Sequence, residues 1–197
     1  MIAILDYGSG NLRSAQRAFA TTGHDVHITS DLDVASKADG LVVPGVGAFA
    51  ACMNGINEIN AAEVIKSRQS AGRATLGICI GMQILFSDGL EHGNHKGIGI
   101  WQGEVSQLDA PILPHMGWNT VEITGPTQLF KGIEKESFYF VHSYAAKKSV
   151  GISQAWTTHG EKFLSAVEDG PLTATQFHPE KSGRAGLALI ANWSARL

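Results

Sequence analysis

Four short apolar runs in the first half of the chain each end at a turn and lead into a helical stretch. That alternation constrains the fold more than any other feature. Ile2–Leu5 is followed by a turn at Gly8-Ser9-Gly10 and a helix through about Thr22, with Leu12, Ala15 and Phe19 at helical spacing and Gly23 as its stop. Val26–Thr29 is a second strand, with Ser30 expected to cap a short helix through Lys37. Leu41-Val42-Val43 runs into Pro44-Gly45-Val46-Gly47, with helical segments to about Ala71, and Ala74–Ile78 is the fourth run. Apolar strands alternating with helices predict an α/β fold whose central, mostly parallel sheet is flanked by helices on both faces.

After Gly89 the pattern changes. Segments near Gly103–Leu108, Asn119–Thr124, Ser137–His142, Gly151–Trp156, Phe163–Glu168 and Leu172–Phe177 are short and separated by turn residues without room for helices. They predict an antiparallel extension of the same sheet. A final helix, Gly183 to Ala195, carries Leu187, Ile190 and Trp193 near one face and would close the fold. No repeat or linker interrupts this order, so 1–197 is expected to form a single domain. A chain of this length buries about 70% of its unfolded surface.

Charge excludes some partners. With 17% charged residues and a net charge of -3, there is no electrostatic reason to expect nucleic acid or an anionic membrane surface. Apolar runs are broken well short of a membrane span. Two cysteines are too few for a disulfide framework and suit a reducing cytoplasm. Met1–Asp6 lacks a basic leader and reads as a first strand rather than a signal peptide.

The chemistry centres on Gly77-Ile78-Cys79-Ile80-Gly81, between the fourth strand and a helix start. A lone cysteine after an apolar strand is more often a small core residue. Flanking glycines at this spacing instead allow a sharp turn that exposes the side chain, at a helix N-terminus where backbone N–H groups and the helix dipole favour thiolate. A cysteine nucleophile needs an oriented base. Gln176-Phe177-His178-Pro179-Glu180 supplies one at another strand end. Pro179 holds His178 extended, and residues two apart in extended chain project to one side, so Glu180 is expected to reach the imidazole. Donors for an oxyanion are the N–H of Ile80 and the glycine-rich turn around Val46 and Gly47.

Other candidates are weaker. Cys52 lacks a glycine frame and reads as packing. His92 and His95 have no third ligand in view, so no metal site is expected. Asp6-Tyr7-Gly8-Ser9-Gly10-Asn11-Leu12 offers only Gly-x-Gly, with Ser14 or Ala15 where a later glycine would stand and Asp31 as the nearest ribose-binding acid.

Pro44-Gly45-Val46-Gly47, Gly77-Ile78-Cys79-Ile80-Gly81-Met82-Gln83 and His178-Pro179-Glu180, in that order, resemble the class I (triad-type) glutamine amidotransferases. Within the family, Asp6–Leu12, Pro114-His115-Met116-Gly117-Trp118-Asn119, Tyr139–Tyr144 and His178–Ser182 are similar to the glutaminase subunits of imidazole glycerol phosphate synthase, of histidine biosynthesis. The resemblance implies that Cys79 attacks the side-chain amide of L-glutamine, with His178 and Glu180 completing a triad. It implies backbone stabilisation from Val46, Gly47 and Ile80, and substrate contacts from Gly47, Gln83, Ser143 and Tyr144. It implies no cofactor, and a heterodimer with a (β/α)₈-barrel cyclase subunit that receives the ammonia. His115, Met116, Trp118 and Asn119 are then a candidate docking surface, against the alternative of ordinary loop packing.

Three other readings remain open at this stage. The glutaminase subunit of pyridoxal phosphate synthase shares the triad, but Trp118 and Lys181 count against it. A non-catalytic regulator has no chemical reason to keep Cys79, His178 and Glu180 together. A general thiol hydrolase or a dinucleotide-binding module would be supported by the fold alone.

Overall fold

The structure is a computed structural model describing residues 1–197. In chain order it begins with β1 (Ile2–Leu5), α1 (Leu12–Ala20), β2 (Val26–Thr29), α2 (Leu32–Lys37) and β3 (Gly40–Gly45). α3 (Phe49–Glu58), α4 (Ala61–Ser70), β4 (Thr75–Cys79) and the single-turn α5 (Ile80–Gln83) follow. Next come β5 (Phe86–Gly89), β6 (His95–Lys96), β7 (Trp101–Gln107), β8 (His115–Thr120), β9 (Glu122–Thr124), β10 (Ser137–His142) and β11 (Tyr144–Ala146). β12 (Ser153–His159), β13 (Glu161–Asp169) and β14 (Leu172–Thr175) lead through a 3₁₀ turn at Pro179–Lys181 into α6 (Gly183–Ser194).

The principal sheet has eight strands in the order β2-β1-β3-β4-β14-β13-β12-β9. The first five run parallel and the last three antiparallel. Every residue of β1, β3, β4 and β14 is buried, as strands covered on both faces must be. α1 packs on α6, where Phe19 and Trp193 meet edge-on with ring centroids 5.6 Å apart, while α2 packs on α4. A contiguous core of 51 buried residues runs through the whole arrangement.

The expected antiparallel extension is therefore only partly realised. β13, β12 and β9 extend the main sheet, but β10 pairs with β8 as a separate ribbon, and β11-β7-β5-β6 form a third sheet. β10 alternates buried and half-buried residues, so one of its faces is sealed and the other is not. Its sealed face stacks on the main layer. Phe138 lies over Phe177 at 4.4 Å and Phe140 meets Phe163 edge-on at 5.8 Å. A strand that buries its aromatics face-on has no need to join the sheet edge.

Three local expectations change as well. Asp31, not Ser30, caps α2, its carboxylate accepting from the N–H groups of Asp33 and Val34. Leu187 lies on the exposed side of α6, whose buried face is Ala185, Gly186, Leu189, Ile190, Trp193 and Ser194. α5 is only four residues long, after which the chain turns into β5.

Candidate active site

β4 delivers Cys79 to the centre of the sheet edge, where the backbone turns sharply. Cys79 has φ 57° and ψ -113°, outside the regions that L-residues prefer. Such a conformation costs on the order of 1–3 kcal/mol and persists only where the surroundings impose it. Here β4 is clamped by β3 on one side, with Gly45 opposite Cys79, and by β14 on the other, with Thr175 opposite Ile78. The glycines at the turn answer to close approach. A Cβ on Gly81 would stand 1.8 Å from the Val43 carbonyl oxygen, and one on Gly45 would stand 2.6 Å from the Gly81 nitrogen. Because α5 is a single turn, little macrodipole stands behind Cys79. The expected dipole contribution gives way to whatever donors lie immediately around the sulfur.

β14 carries the chain to His178. Its N–H donates to the Tyr139 carbonyl at 2.9 Å, and Ser182 Oγ donates to the His178 carbonyl at 2.6 Å while accepting the Tyr139 N–H at 2.9 Å. The residue is thus pinned to β10. Its ring is bound by Glu180 Oε1 at 2.8 Å from Nδ1, and both side chains are buried. The route differs from the one expected. His178 itself is extended, at φ -99° and ψ 97°, but Pro179–Lys181 folds into a 3₁₀ turn that brings Glu180 back beneath the imidazole. The other carboxylate oxygen, Oε2, is buried without a partner. Nδ1–H donates to the carboxylate, leaving Nε2 for chemistry. Burial by itself would lower the His178 pKa, but hydrogen bonding and charge from Cys79 and Glu180 outweigh it and hold the value up at about 9.

The turn does not leave Cys79 in the open as expected, since the residue is only 3% exposed, but Cys79 and His178 both line one cleft of about 550 Å³. Val46, Gly47, Ile80, Gln83, Ser143 and Tyr144 line the same cleft, so the structure brings these sequence-selected residues together. It adds Glu91, His92, Gln107, Pro114, Val141, His142 and Lys181. Glu91 is held there by the Phe49 N–H at the start of α3, at 2.7 Å.

Two hydrogen-bond networks meet in the cleft wall. Gln83 Nε2 donates to the Tyr144 carbonyl at 2.8 Å and to Gln176 Oε1 at 3.0 Å, and Gln176 Nε2 donates to Cys79 Sγ at 3.7 Å. From the other side, His142 Nδ1 donates to the same Tyr144 carbonyl at 2.9 Å. His142 Nε2 then accepts from His115 Nδ1 at 3.1 Å, and His115 Nε2 accepts from Asn119 Nδ2 at 3.3 Å. This assignment satisfies every atom with both rings neutral. Burial drives His142 down to about 3 and His115 to about 4, which keeps them neutral.

The turn expected to supply oxyanion donors has its Val46 backbone engaged elsewhere. The Val46 N–H donates to Ser9 Oγ at 3.1 Å, and Ser9 Oγ donates to the Val46 carbonyl at 2.9 Å. Cys52 Sγ lies 3.2 Å from Ser9 Oγ, and Tyr7 Oη donates to the Pro44 carbonyl at 2.6 Å. The Val46 N–H thus faces the Asp6–Leu12 loop.

Of the docking candidates, Met116 and Trp118 are 63% and 57% exposed, and Asn119 is half-buried. His115 departs from expectation, since its side chain is buried against Phe140, His142 and His159. No group of three His, Cys, Asp or Glu side chains is arranged to hold a metal ion, and no helix is long and apolar enough to cross a membrane. Sequence reasoning missed Ser9, Glu91, His142 and Gln176 as parts of the site. Only His142 left a trace, as a polar residue in phase with the buried positions of β10.

Residues 3–196 match the family model described as glutamine amidotransferase class-I. The imidazole glycerol phosphate synthase subunit HisH of Mycolicibacterium paratuberculosis is 55% identical, over 100% of this chain and 98% of that protein. The protein of the same name from Mycobacterium bovis is 56% identical, over 98% of this chain and 96% of its own length. A crystal structure of a glutamine amidotransferase superposes with a TM-score of 0.75 at 16% identity, covering 98% of each chain, which speaks for the fold.

Proposed function

The chain belongs to the class-I glutamine amidotransferase family, and from that premise we propose that it is the glutaminase subunit of imidazole glycerol phosphate synthase. As a single amidotransferase domain over 1–197, it hydrolyses L-glutamine to glutamate and ammonia and passes the ammonia to a (β/α)₈-barrel cyclase subunit. The cyclase uses it to form imidazole glycerol phosphate and aminoimidazole carboxamide ribotide, in histidine biosynthesis in the cytoplasm. Full-length relatives at this identity carry the subunit name.

The observation that carries the mechanism is the pairing of His178 Nδ1 with Glu180 at 2.8 Å, in the cleft that Cys79 lines. With a pKa of about 9, His178 carries its proton at neutral pH and stabilises the Cys79 thiolate. The sulfur attacks the amide carbon of glutamine, forming a C–S bond and placing the electron pair on oxygen. Val46 or Gly47 and Ile80 donate N–H groups to that oxyanion. His178 delivers its Nε2 proton to the departing nitrogen, and the C–N bond breaks to release ammonia. Neutral His178 then takes a proton from water, whose oxygen displaces sulfur to give glutamate. Gly47, Gln83, Ser143 and Tyr144 hold the substrate.

In this arrangement the Val46 N–H is engaged by Ser9, so full oxyanion stabilisation requires the turn to reorient. Cyclase docking on Met116, Trp118 and Asn119 provides the occasion. The test uses a glutamine-analogue electrophile and a glutamate-release assay, with and without the cyclase. Labelling at Cys79, accelerated by the partner, is expected. Full-rate hydrolysis by the isolated chain would remove the partner-dependent part of the reading.

A further inference from the structure

Gln176 has no role in the mechanism above, yet its side chain touches the reacting sulfur. It is fully buried at the end of β14, its backbone N–H donating to the Ser165 carbonyl at 2.8 Å. The orientation of its amide is forced. The Tyr144 carbonyl can only accept, so the Gln83 atom bonded to it at 2.8 Å is nitrogen. That nitrogen also meets Gln176 at 3.0 Å, so the Gln176 atom there is the carbonyl oxygen. The remaining end, Nε2, then points at Cys79 Sγ, 3.7 Å away.

We propose that Gln176 is a further catalytic residue, whose amide N–H stabilises negative charge on Cys79 Sγ. The inference rests on the glutaminase reading of the site. The sulfur carries charge twice in the reaction. It does so first as the attacking thiolate that faces protonated His178, and again when the thioester C–S bond breaks and the electron pair returns to sulfur. An N–H donor strengthens as its acceptor becomes ionised, so the bond is worth more at those two points than to the neutral thiol or thioester. With His178 as the other donor, Gln176 also fixes the direction of the sulfur. This local donor fills the place that the helix dipole of a one-turn α5 leaves nearly empty. Gln83 keeps the amide turned, and its own Oε1, buried without a partner in the cleft wall, remains free to accept from substrate.

The experiment follows alkylation of Cys79 by iodoacetamide in the full chain from pH 5 to pH 10, quantified on the modified peptide. Gln176→Met keeps the approximate shape and removes the donor. Gln176→Asn withdraws the amide by one carbon while keeping the position polar, and it decides the matter if the first variant does not melt cooperatively. The expected result is alkylation about tenfold slower than wild type on the acid limb, with the difference closing as pH rises, equivalent to a shift of roughly one pH unit in the profile midpoint. Profiles that superimpose on wild type would overturn the proposal. So would rates reduced by one factor at every pH, the mark of a purely structural role. Iodoacetamide does not depend on glutamine recognition, so this outcome stands apart from glutamate release by the wild-type complex, which tests the glutaminase reading itself.

Discussion

Ser9 grips the backbone of Val46 on both sides, its single hydroxyl accepting the N–H at 3.1 Å and donating to the carbonyl at 2.9 Å. Two hydrogen bonds of about 1 kcal/mol each would hold the turn with its donor away from the substrate. Ser9→Ala should therefore raise glutamine hydrolysis by the isolated chain roughly 5- to 30-fold. Steady-state glutamate release without the cyclase measures it. A rate equal to or below wild type would mean that the latch does not limit turnover.

Glu180→Gln keeps the size of the side chain but removes the charge that helps hold His178 at about 9. The His178 pKa should fall, so less imidazolium is present at neutral pH to balance the thiolate and protonate the leaving nitrogen. Hydrolysis should drop by roughly 10²- to 10⁴-fold, with the alkaline limb of the pH–rate profile moving to lower pH. An unmoved alkaline limb would assign that limb to another group.

Cys79→Ala should separate the two activities of the complex. Synthesis driven by glutamine is expected to fall to background, while synthesis driven by added ammonium salt persists within about twofold of wild type, since ammonia bypasses the nucleophile. Product formation under the two nitrogen sources measures it. Loss of both in a folded complex would place Cys79 in the coupling between subunits as well.

The histidines give stability an opposed pH dependence. His178 binds its proton more tightly folded than unfolded, so its contribution is fully present below about pH 6.5 and is lost as pH rises through about 9. His115 and His142 bind protons more weakly folded, near 4 and 3, so their contribution is present above about pH 6.5 and erodes as pH falls. At pH 5 the erosion is on the order of 2 kcal/mol per histidine. Urea midpoints at pH 5, 7 and 9.5 should peak near neutrality. His142→Asn should flatten the acid side and leave the alkaline side unchanged.

Gly81→Ala should destabilise the chain by at least about 3 kcal/mol, because its Cβ would fall 1.8 Å from the Val43 carbonyl oxygen and push β3 away from the Cys79 turn. Thermal melting measures it, and a shift in Tm below about 2 °C would count against the rigidity assigned to this contact.

The parallel half of the fold was legible because its signals are local. Ile2–Leu5 and Val26–Thr29 are short β-forming runs closed by turn residues, and they form strands at those bounds. The brevity of α5 was hidden because it is imposed from a distance. Ile84, Leu85 and Phe86 continue an apolar run that suits a helix, yet their carbonyls accept from the N–H groups of Ile98, Ile100, Trp101 and Gly99. Nothing within the run announces those partners. At the site, Cys79, His178 and Glu180 stood out because glycine and proline frame them. Gln176 did not, since one polar residue in a buried strand acquires meaning only through Gln83, 93 positions away. His115 resembles a surface polar residue until β8 and β10 pair and set it opposite His142.

Cys52 has 0% exposure, sealed behind the Val46 turn, while Cys79 lines an open cleft. A reagent small enough to enter the cleft therefore reaches one sulfur in the folded chain and two in the unfolded chain. Thiol stoichiometry becomes a built-in gauge. One adduct per molecule counts working sites, and a second, arriving later, clocks each opening of the layer behind the turn.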